Sequence, residues 1–413
     1  MRAPSYSPQA GEIFASATLA DPYPFYRRLR EERPVSQVGE TGVHLVATRA
    51  LIEDVLAREE DFSAHLTGVL MRGREGTPTV FALPDSPATR VIATADEPEH
   101  AVHRAAVQPR MAARQIAALE EPISRWTRSA VGGWLARGGG DFIPIAEILP
   151  AQLVGELLGL PKDDVSRFRV WAMMGGEMLA GDVDEAALMT LASETMKMRD
   201  YLGEHLDRAR AATCEEIGAP LLHSLARGIA AGQLDREEGI AIATVLFGAG
   251  GESTAALIGS AVRRLAEEPL LAEKLRASPD LIPLFVEEIV RLHPPFNFHY
   301  RVVRRDSELG GFEIRRGDRL MLLWASANRD AAVFEAPDEL RLDRAHPRDH
   351  LGFGRGAHFC IGAGVARLEV RVVCEELLAR TSQISIAPAT RPVYAKSIFT
   401  RRLERLVLTA SRC

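Results

Sequence analysis

The sequence predicts a mainly α-helical fold with smaller β regions. From Glu99 to about Ala379, apolar residues recur mostly at the three- and four-residue spacing of a helix face. Strand-like alternation is confined to three short stretches. No internal repeat, low-complexity tract or linker divides the 413 residues, so the expectation is a single domain over 1–413, with 1–20 a loosely ordered segment.

The elements follow in order. Asp21 to Glu32 reads as a short helix, and Val35 to Thr48 as strand segments turning near Gly39 and Gly42. From Asp61 to Pro98 the chain is rich in Gly and Pro and reads as a long irregular loop, a feature usually kept for function. Helical spacing then covers Glu99–Arg114, Ile116–Arg137, Ile145–Leu160, Asp163–Ala180, Glu185–Ala211, Pro220–Ala230, Arg236–Glu268 and Leu281–Leu292. Strand character returns at Tyr300–Leu322, around Gly310-Gly311, and at Ile384–Leu408, with a helix from about Ala363 to Ala379 between them.

Composition excludes several classes. With 46% hydrophobic and 26% charged residues the chain can bury a large core. A formal charge of −6, from 56 acidic against 50 basic residues, offers no general attraction for nucleic acid or an anionic surface. Met1 to Phe14 holds no apolar run like a signal peptide or membrane anchor, so a cytoplasmic location is expected. The four cysteines (Cys214, Cys360, Cys374 and Cys413) form no CxxC pair, and neither a disulfide framework nor a zinc ribbon is expected.

The densest signal is Gly352-Phe353-Gly354-Arg355-Gly356-Ala357-His358-Phe359-Cys360-Ile361-Gly362, running into a helix. A cysteine where a glycine-rich loop meets a helix N-terminus gains N–H donors and a dipole that favour its thiolate and lower its pKa. Three readings compete: an inert buried thiol, a nucleophile, or a metal ligand. His358 is poorly placed as a nucleophile's base, being only two residues away. Glycines that let a large flat group approach the backbone, with Phe353 shielding the sulfur, suit the ligand.

This string resembles the cysteine-ligand loop of the cytochrome P450 superfamily, Phe-x-x-Gly-x-x-x-Cys-x-Gly, with Phe353, Gly356, Cys360 and Gly362 in register. The resemblance implies haem b (iron protoporphyrin IX), with Cys360 as the axial thiolate, Phe353, Gly354 and Gly362 around it, and His358 on a propionate. Glu288-Ile289-Val290-Arg291, some 70 residues earlier, is similar to the family's Glu-x-x-Arg motif, with Arg344 as third partner in a structural role. Spacing of three alone would make Glu288 and Arg291 no more than an ordinary helix-surface pair. Ala327-Asn328-Arg329-Asp330 also resembles bacterial members. His100 and Arg104, four apart on one helix face, and Arg301 match propionate-binding positions.

Phe247-Gly248-Ala249-Gly250-Gly251-Glu252-Ser253-Thr254 sits mid-helix. Each glycine costs about 1 kcal/mol relative to Ala, so either the helix opens locally or other helices pack closely here. The segment is similar to the oxygen-activation motif Ala-Gly-x-(Asp/Glu)-Thr-Thr. The likeness implies Glu252 as acid, Ser253 in place of the usual Thr as the hydroxyl that holds water in a proton relay, and Thr254 beside it.

By family register, the substrate pocket would use Met71, Phe81, Gly248, Ala249, Pro295, Phe296, Phe298, Ile398 and Phe399. Six of the ten methionines lie between Met173 and Met198, where the family has a lid, and at least two are expected in it. Few charges lie among these positions, so a hydrophobic or amphipathic small molecule is expected. No flavin or nicotinamide fingerprint is present. The resemblance therefore implies electrons from a ferredoxin and ferredoxin reductase, with Arg104, Arg110, Arg114, Arg348 and Arg355 as docking candidates. Peroxide-driven or non-oxygenating chemistry, or a haem sensor or carrier, are the alternatives.

Overall fold

The computed structural model describes residues 11–73, 76–86, 89–182, 185–212 and 219–412. Cys214 and Cys413 lie outside them. Helix accounts for 55% of the structure, and the sheets are small, as the spacing predicts.

The organising element is the helix Arg236–Glu267. It starts where Asp235 accepts from the Glu238 amide at 2.7 Å while Glu238 accepts from the Asp235 amide at 2.7 Å, a reciprocal cap on two otherwise unpaired donors. The helix is long and apolar enough to cross a membrane. That composition has another cause here: 67% of its most apolar window is buried against other helices. Ile143–Leu158, Val165–Ala172, Glu185–Ala211, Leu221–Ala230, Ile282–Leu292 and Ala363–Arg380 all pack on it. A first apolar core cluster lies around Phe168, Trp171 and Phe247 and a second around Trp134, Phe285 and Leu377, and a third forms around Phe25, Leu45 and Phe298.

The largest sheet has five strands in the order Val35–Gln37, Val43–Val46, Arg319–Leu322, His299–Val303 and Phe62–Ser63. Arg319–Leu322 runs parallel to Val43–Val46 and antiparallel to His299–Val303, with Leu320 opposite Arg301. This pairing brings the N-terminal region against the strand that carries Arg301.

Several elements differ from the sequence expectation. The stretch 61–98 is not irregular throughout: it supplies the edge strand Phe62–Ser63 and an antiparallel hairpin, Gly68–Arg72 with Pro78–Ala82. Its strands bury Val69, Leu70 and Met71 in the third core cluster, a tertiary gain invisible beneath the Gly and Pro signals. Asp163–Ala180 is not one helix. The helix Val165–Ala172 ends short of Gly175, which meets Gly248 backbone to backbone: a Cβ on Gly175 would lie 2.9 Å from the Gly248 Cα. Helices Arg49–Ala57 and Pro269–Ala277 were not anticipated; the second begins with Pro269 at its first position, where a missing N–H costs nothing. Of the segment 1–20, residues 1–10 lie outside the described residues; within 11–20, Glu12–Phe14 and Ser16–Ala20 are helical, with Ile13 and Phe14 buried. The Ile384–Leu408 region divides: Thr381–Ile386 pairs with Val407–Arg412, and Val393–Tyr394 pairs with Leu403–Arg405.

Candidate active site

Cys360 follows a 3-10 turn, Gly356–His358, and precedes the helix Ala363–Arg380. Its amide donates to Phe353 O at 2.9 Å, which closes the loop on itself. Gly354 and Gly356 take φ of 68° and 74°, a left-handed backbone that favours glycine. Gly352 lies so close to the neighbouring helix that a Cβ there would sit 2.8 Å from the Val290 carbonyl oxygen.

The loop is tied down by buried charge. Arg291 grips Glu288 with two bonds of 2.6 and 2.8 Å, and donates to the carbonyls of Asn328, Pro337 and Glu339. Arg344 adds a bond of 2.9 Å to Glu288, as does the Arg341 amide. Burial alone would push the Glu288 carboxyl up; these donors reverse it and hold it below its ordinary value. Such a network fixes the Pro337–Arg344 segment by geometry more than by net stability. Glu287, which no motif in the sequence picks out, does similar work toward the helix Ala363–Arg380. It accepts from Arg367 at 2.7 Å, His350 at 3.0 Å and Arg348 at 3.2 Å, and these donors overcome its burial to lower its pKa to about 2. A second adjacent carboxylate in a buried-face helix was the available signal.

Above this loop lies a cavity of about 1630 Å³ including its open mouth, lined mainly by apolar side chains. The cysteine loop from Gly352 to Gly362 forms one wall, and Leu246, Ala249, Gly250, Ser253 and Thr254 of the long helix form part of another. Cys360 is open to the cavity. Burial pushes its thiol pKa up, and the amides of Gly362 and Ala363 pull it down without prevailing. The expectation of a lowered pKa therefore gives way: the helix start helps a thiolate, and a bound metal is what would hold one.

Among the described residues no three His, Cys, Asp or Glu side chains gather to hold a bare ion. A metal on Cys360 must bring most of its ligands with it. The cavity edge suits a flat group carrying carboxylates. His100, Arg104, Arg301 and His358 all line it. His100 Nε2 and His358 Nδ1 are buried without a partner, their rings 4.1 Å apart. Arg301 is buried, its side chain bonds only the Tyr300 carbonyl among the described residues, and burial lowers its pKa to about 10. Burial, Arg301 and His100 together press His358 down to about 3. These unmet donors fit the carboxylates of iron protoporphyrin IX. Arg104 also donates to Phe359 O at 2.9 Å.

The long helix stays continuous through Gly248–Thr254, so of the two readings, local opening and close packing, the opening is absent. The glycines serve close packing instead: a Cβ on Gly251 would lie 2.3 Å from that of Ala172, and one on Gly250 2.8 Å from Val154. Ser253 and Thr254 line the cavity, and the Ser253 hydroxyl donates to Ala249 O at 2.5 Å. Glu252 is placed differently. It accepts from the Gly176 amide at 2.6 Å and Arg402 at 3.2 Å, outside the cavity lining. Burial raises its pKa to about 7, against the pull of Arg402.

Of the pocket candidates, Ala249, Pro295 and Phe296 line the cavity. Met71, Phe298, Ile398 and Phe399 are instead buried in the third core cluster, with Phe399 stacked on Phe296 at 4.5 Å. Phe81 is 44% exposed on the hairpin, and Gly248 packs on Gly175. None of the six methionines from 173 to 198 lines the cavity: Met173, Met174 and Met198 join the first core cluster, and Met178, Met189 and Met196 are exposed. The cavity also holds Glu369, unforeseen because it reads as one charge in an ordinary helix pattern. Its Oε1 is buried without a partner, and burial raises its pKa to about 8.

Residues 195–392 match the family model for cytochrome P450. The chain is 40% identical over 405 residues to cytochrome P450 144 of Mycobacterium tuberculosis (strain H37Rv), covering 97% of this chain and 91% of that one. It is 32% identical over 365 residues to the erythromycin C-12 hydroxylase of Saccharopolyspora erythraea, covering 87% and 86%. The crystal structure of CYP109E1 from Bacillus megaterium in complex with testosterone matches with a TM-score of 0.83 at 26% identity, over 96% of this chain and 99% of that one. With likeness over nearly its whole length, and a lone thiol opening onto a cavity edged by unmet donors, the chain belongs to the cytochrome P450 family, as a monooxygenase whose cofactor is haem iron.

Proposed function

We propose that this monooxygenase takes electrons from a separate ferredoxin and its reductase in the cytoplasm and inserts one atom of O2 into a hydrophobic small molecule. One observation carries the reading: Cys360, the only cysteine among the described residues to line it, opens onto a large and mainly apolar cavity. Bound in it, the haem supplies the oxygen-activating chemistry.

The protein's own residues hold, orient and exclude. Cys360 would give the thiolate, and His100, Arg104, Arg301 and His358 would take the carboxylates. Ser253 and Thr254 bring hydroxyls to the cavity wall, where either can hold a water. Glu252 lies behind that wall, and its pKa of about 7 suits it to exchange protons near neutral pH. Its position makes it a supplier to the relay rather than a group touching substrate. The apolar lining keeps bulk water away and favours an apolar guest. A relative named as an erythromycin hydroxylase and a neighbour solved with testosterone support a sizeable guest.

Arg348 and Arg355 are 76% and 51% exposed at their side chains, and with Arg104, Arg110 and Arg114 they are the candidates for docking the electron donor. The reduced protein with CO should show the red-shifted Soret band of thiolate ligation, and Cys360→His should lose it. With ferredoxin, reductase and a hydrophobic compound that shifts the haem spectrum, NADPH consumption should yield oxygenated product and weaken at high salt. Turnover with peroxide alone, and none with the reconstituted partners, would overturn the proposal.

A further inference from the structure

His299 opens the strand that carries Arg301, and its half-buried ring lines the cavity. The Trp324 indole N–H donates to its Nδ1 at 2.7 Å. An indole N–H can only donate, so Nδ1 must keep its lone pair, and the neutral ring must carry its hydrogen on Nε2. Burial, with Arg301 nearby, lowers the ring's pKa to about 4, so the neutral form is the one present at pH 7. No acceptor among the described residues meets Nε2. Its ring neighbours besides Trp324 are Phe296 and Phe399, edge-on at 5.5 and 5.6 Å, and neither offers an acceptor in the ring plane.

We infer that His299 is a neutral hydrogen-bond donor to an oxygen acceptor inside the cavity, with Trp324 selecting the nitrogen that donates. Residues two apart on a strand share a face, so the acceptor lies on the side where Arg301 also points. That chemistry fits an oxygen rich in electron density, either a carboxylate of the haem or a carbonyl of the molecule being oxidised. The inference rests on the cavity holding the haem as proposed, and its test reads binding, not turnover. Absence of a Soret band in the native protein would defeat the functional proposal, whereas the outcomes below concern His299 alone.

Three variants are compared with the native haem-loaded protein: His299→Phe, which removes the donor, His299→Gln, which restores one, and Trp324→Phe, which frees the tautomer. The first measurement is haem transfer to excess apomyoglobin. The second is spectral titration with cyclododecanone and with cyclododecane, which differ by one carbonyl. In His299→Phe either haem release accelerates or ketone affinity falls, by roughly five- to tenfold, with cyclododecane affinity unchanged. Faster release assigns the acceptor to the haem, and selective ketone loss assigns it to the guest. His299→Gln should recover most of the effect, and Trp324→Phe should show part of it. If both quantities stay within twofold in His299→Phe, or if Phe and Gln behave alike, the inference falls. Should His299→Phe fail to fold, Trp324→Phe decides, and an unchanged result there overturns it.

Discussion

The guanidinium of Arg367 lies 4.4 Å from the centre of the Phe353 ring while donating to Glu287 Oε1 at 2.7 Å. One side chain thus links the aromatic ring of the cysteine loop to the helix Ile282–Leu292 through a cation–π contact and a buried ion pair. The loop's shape therefore depends on Glu287 as well as on Glu288.

Arg367→Ala should cost about 3 kcal/mol at pH 7, since it strips a buried carboxylate of its bidentate partner. Because the Glu287 pKa is depressed from 4.5 to about 2, its contribution is present above pH 4.5 and is lost as pH falls through about 2. The gap between native and variant in urea unfolding should accordingly narrow on acidification. A gap independent of pH would mean that Arg367 acts by packing alone.

Glu252 carries the opposite sign. A carboxyl whose pKa is raised from 4.5 to about 7 binds its proton more tightly in the folded state, so it favours folding less as pH rises through that window. Glu252→Gln should lose part of the Arg402 interaction yet gain melting temperature relative to the native protein between pH 5 and about 8. Parallel melting curves across that range would show that the carboxyl is not perturbed.

Gly251→Ala tests the packing account of the long helix. Alanine is the better helix former by about 1 kcal/mol, but its Cβ would meet Ala172 at 2.3 Å. Overpacking against the rigid Ala172 Cβ, and its Cα at 3.0 Å, should win and destabilise the protein by about 1–3 kcal/mol, read by denaturant unfolding. A stabilised variant would return the glycines to an opening role.

Ser253→Ala should raise peroxide released per product formed several-fold, with little change in stability, because the hydroxyl it removes faces the cavity and, among the described residues, bonds only Ala249 O. Thr254→Ala is the control. If coupling is unchanged in Ser253→Ala and harmed in Thr254→Ala, the hydroxyl that matters is one residue further on.

Sequence alone determined the helical class, the long helix and the cysteine loop, because helical spacing and a run of fixed residue types are local properties of the chain. The Glu288–Arg291–Arg344 cluster and the His100/Arg104/Arg301/His358 edge were legible as well, through motif register rather than through any local energy. Tertiary structure decided the rest. It turned Glu252 from the cavity and put Phe298, Ile398 and Phe399 into a core cluster, because the face a side chain presents depends on what packs beside it. It built a hairpin from a Gly- and Pro-rich stretch, since burying Val69, Leu70 and Met71 outweighed weak local propensity. It also brought Trp324 to His299 across 25 residues of sequence, and no spacing rule reports a hydrogen bond between side chains that only folding makes neighbours.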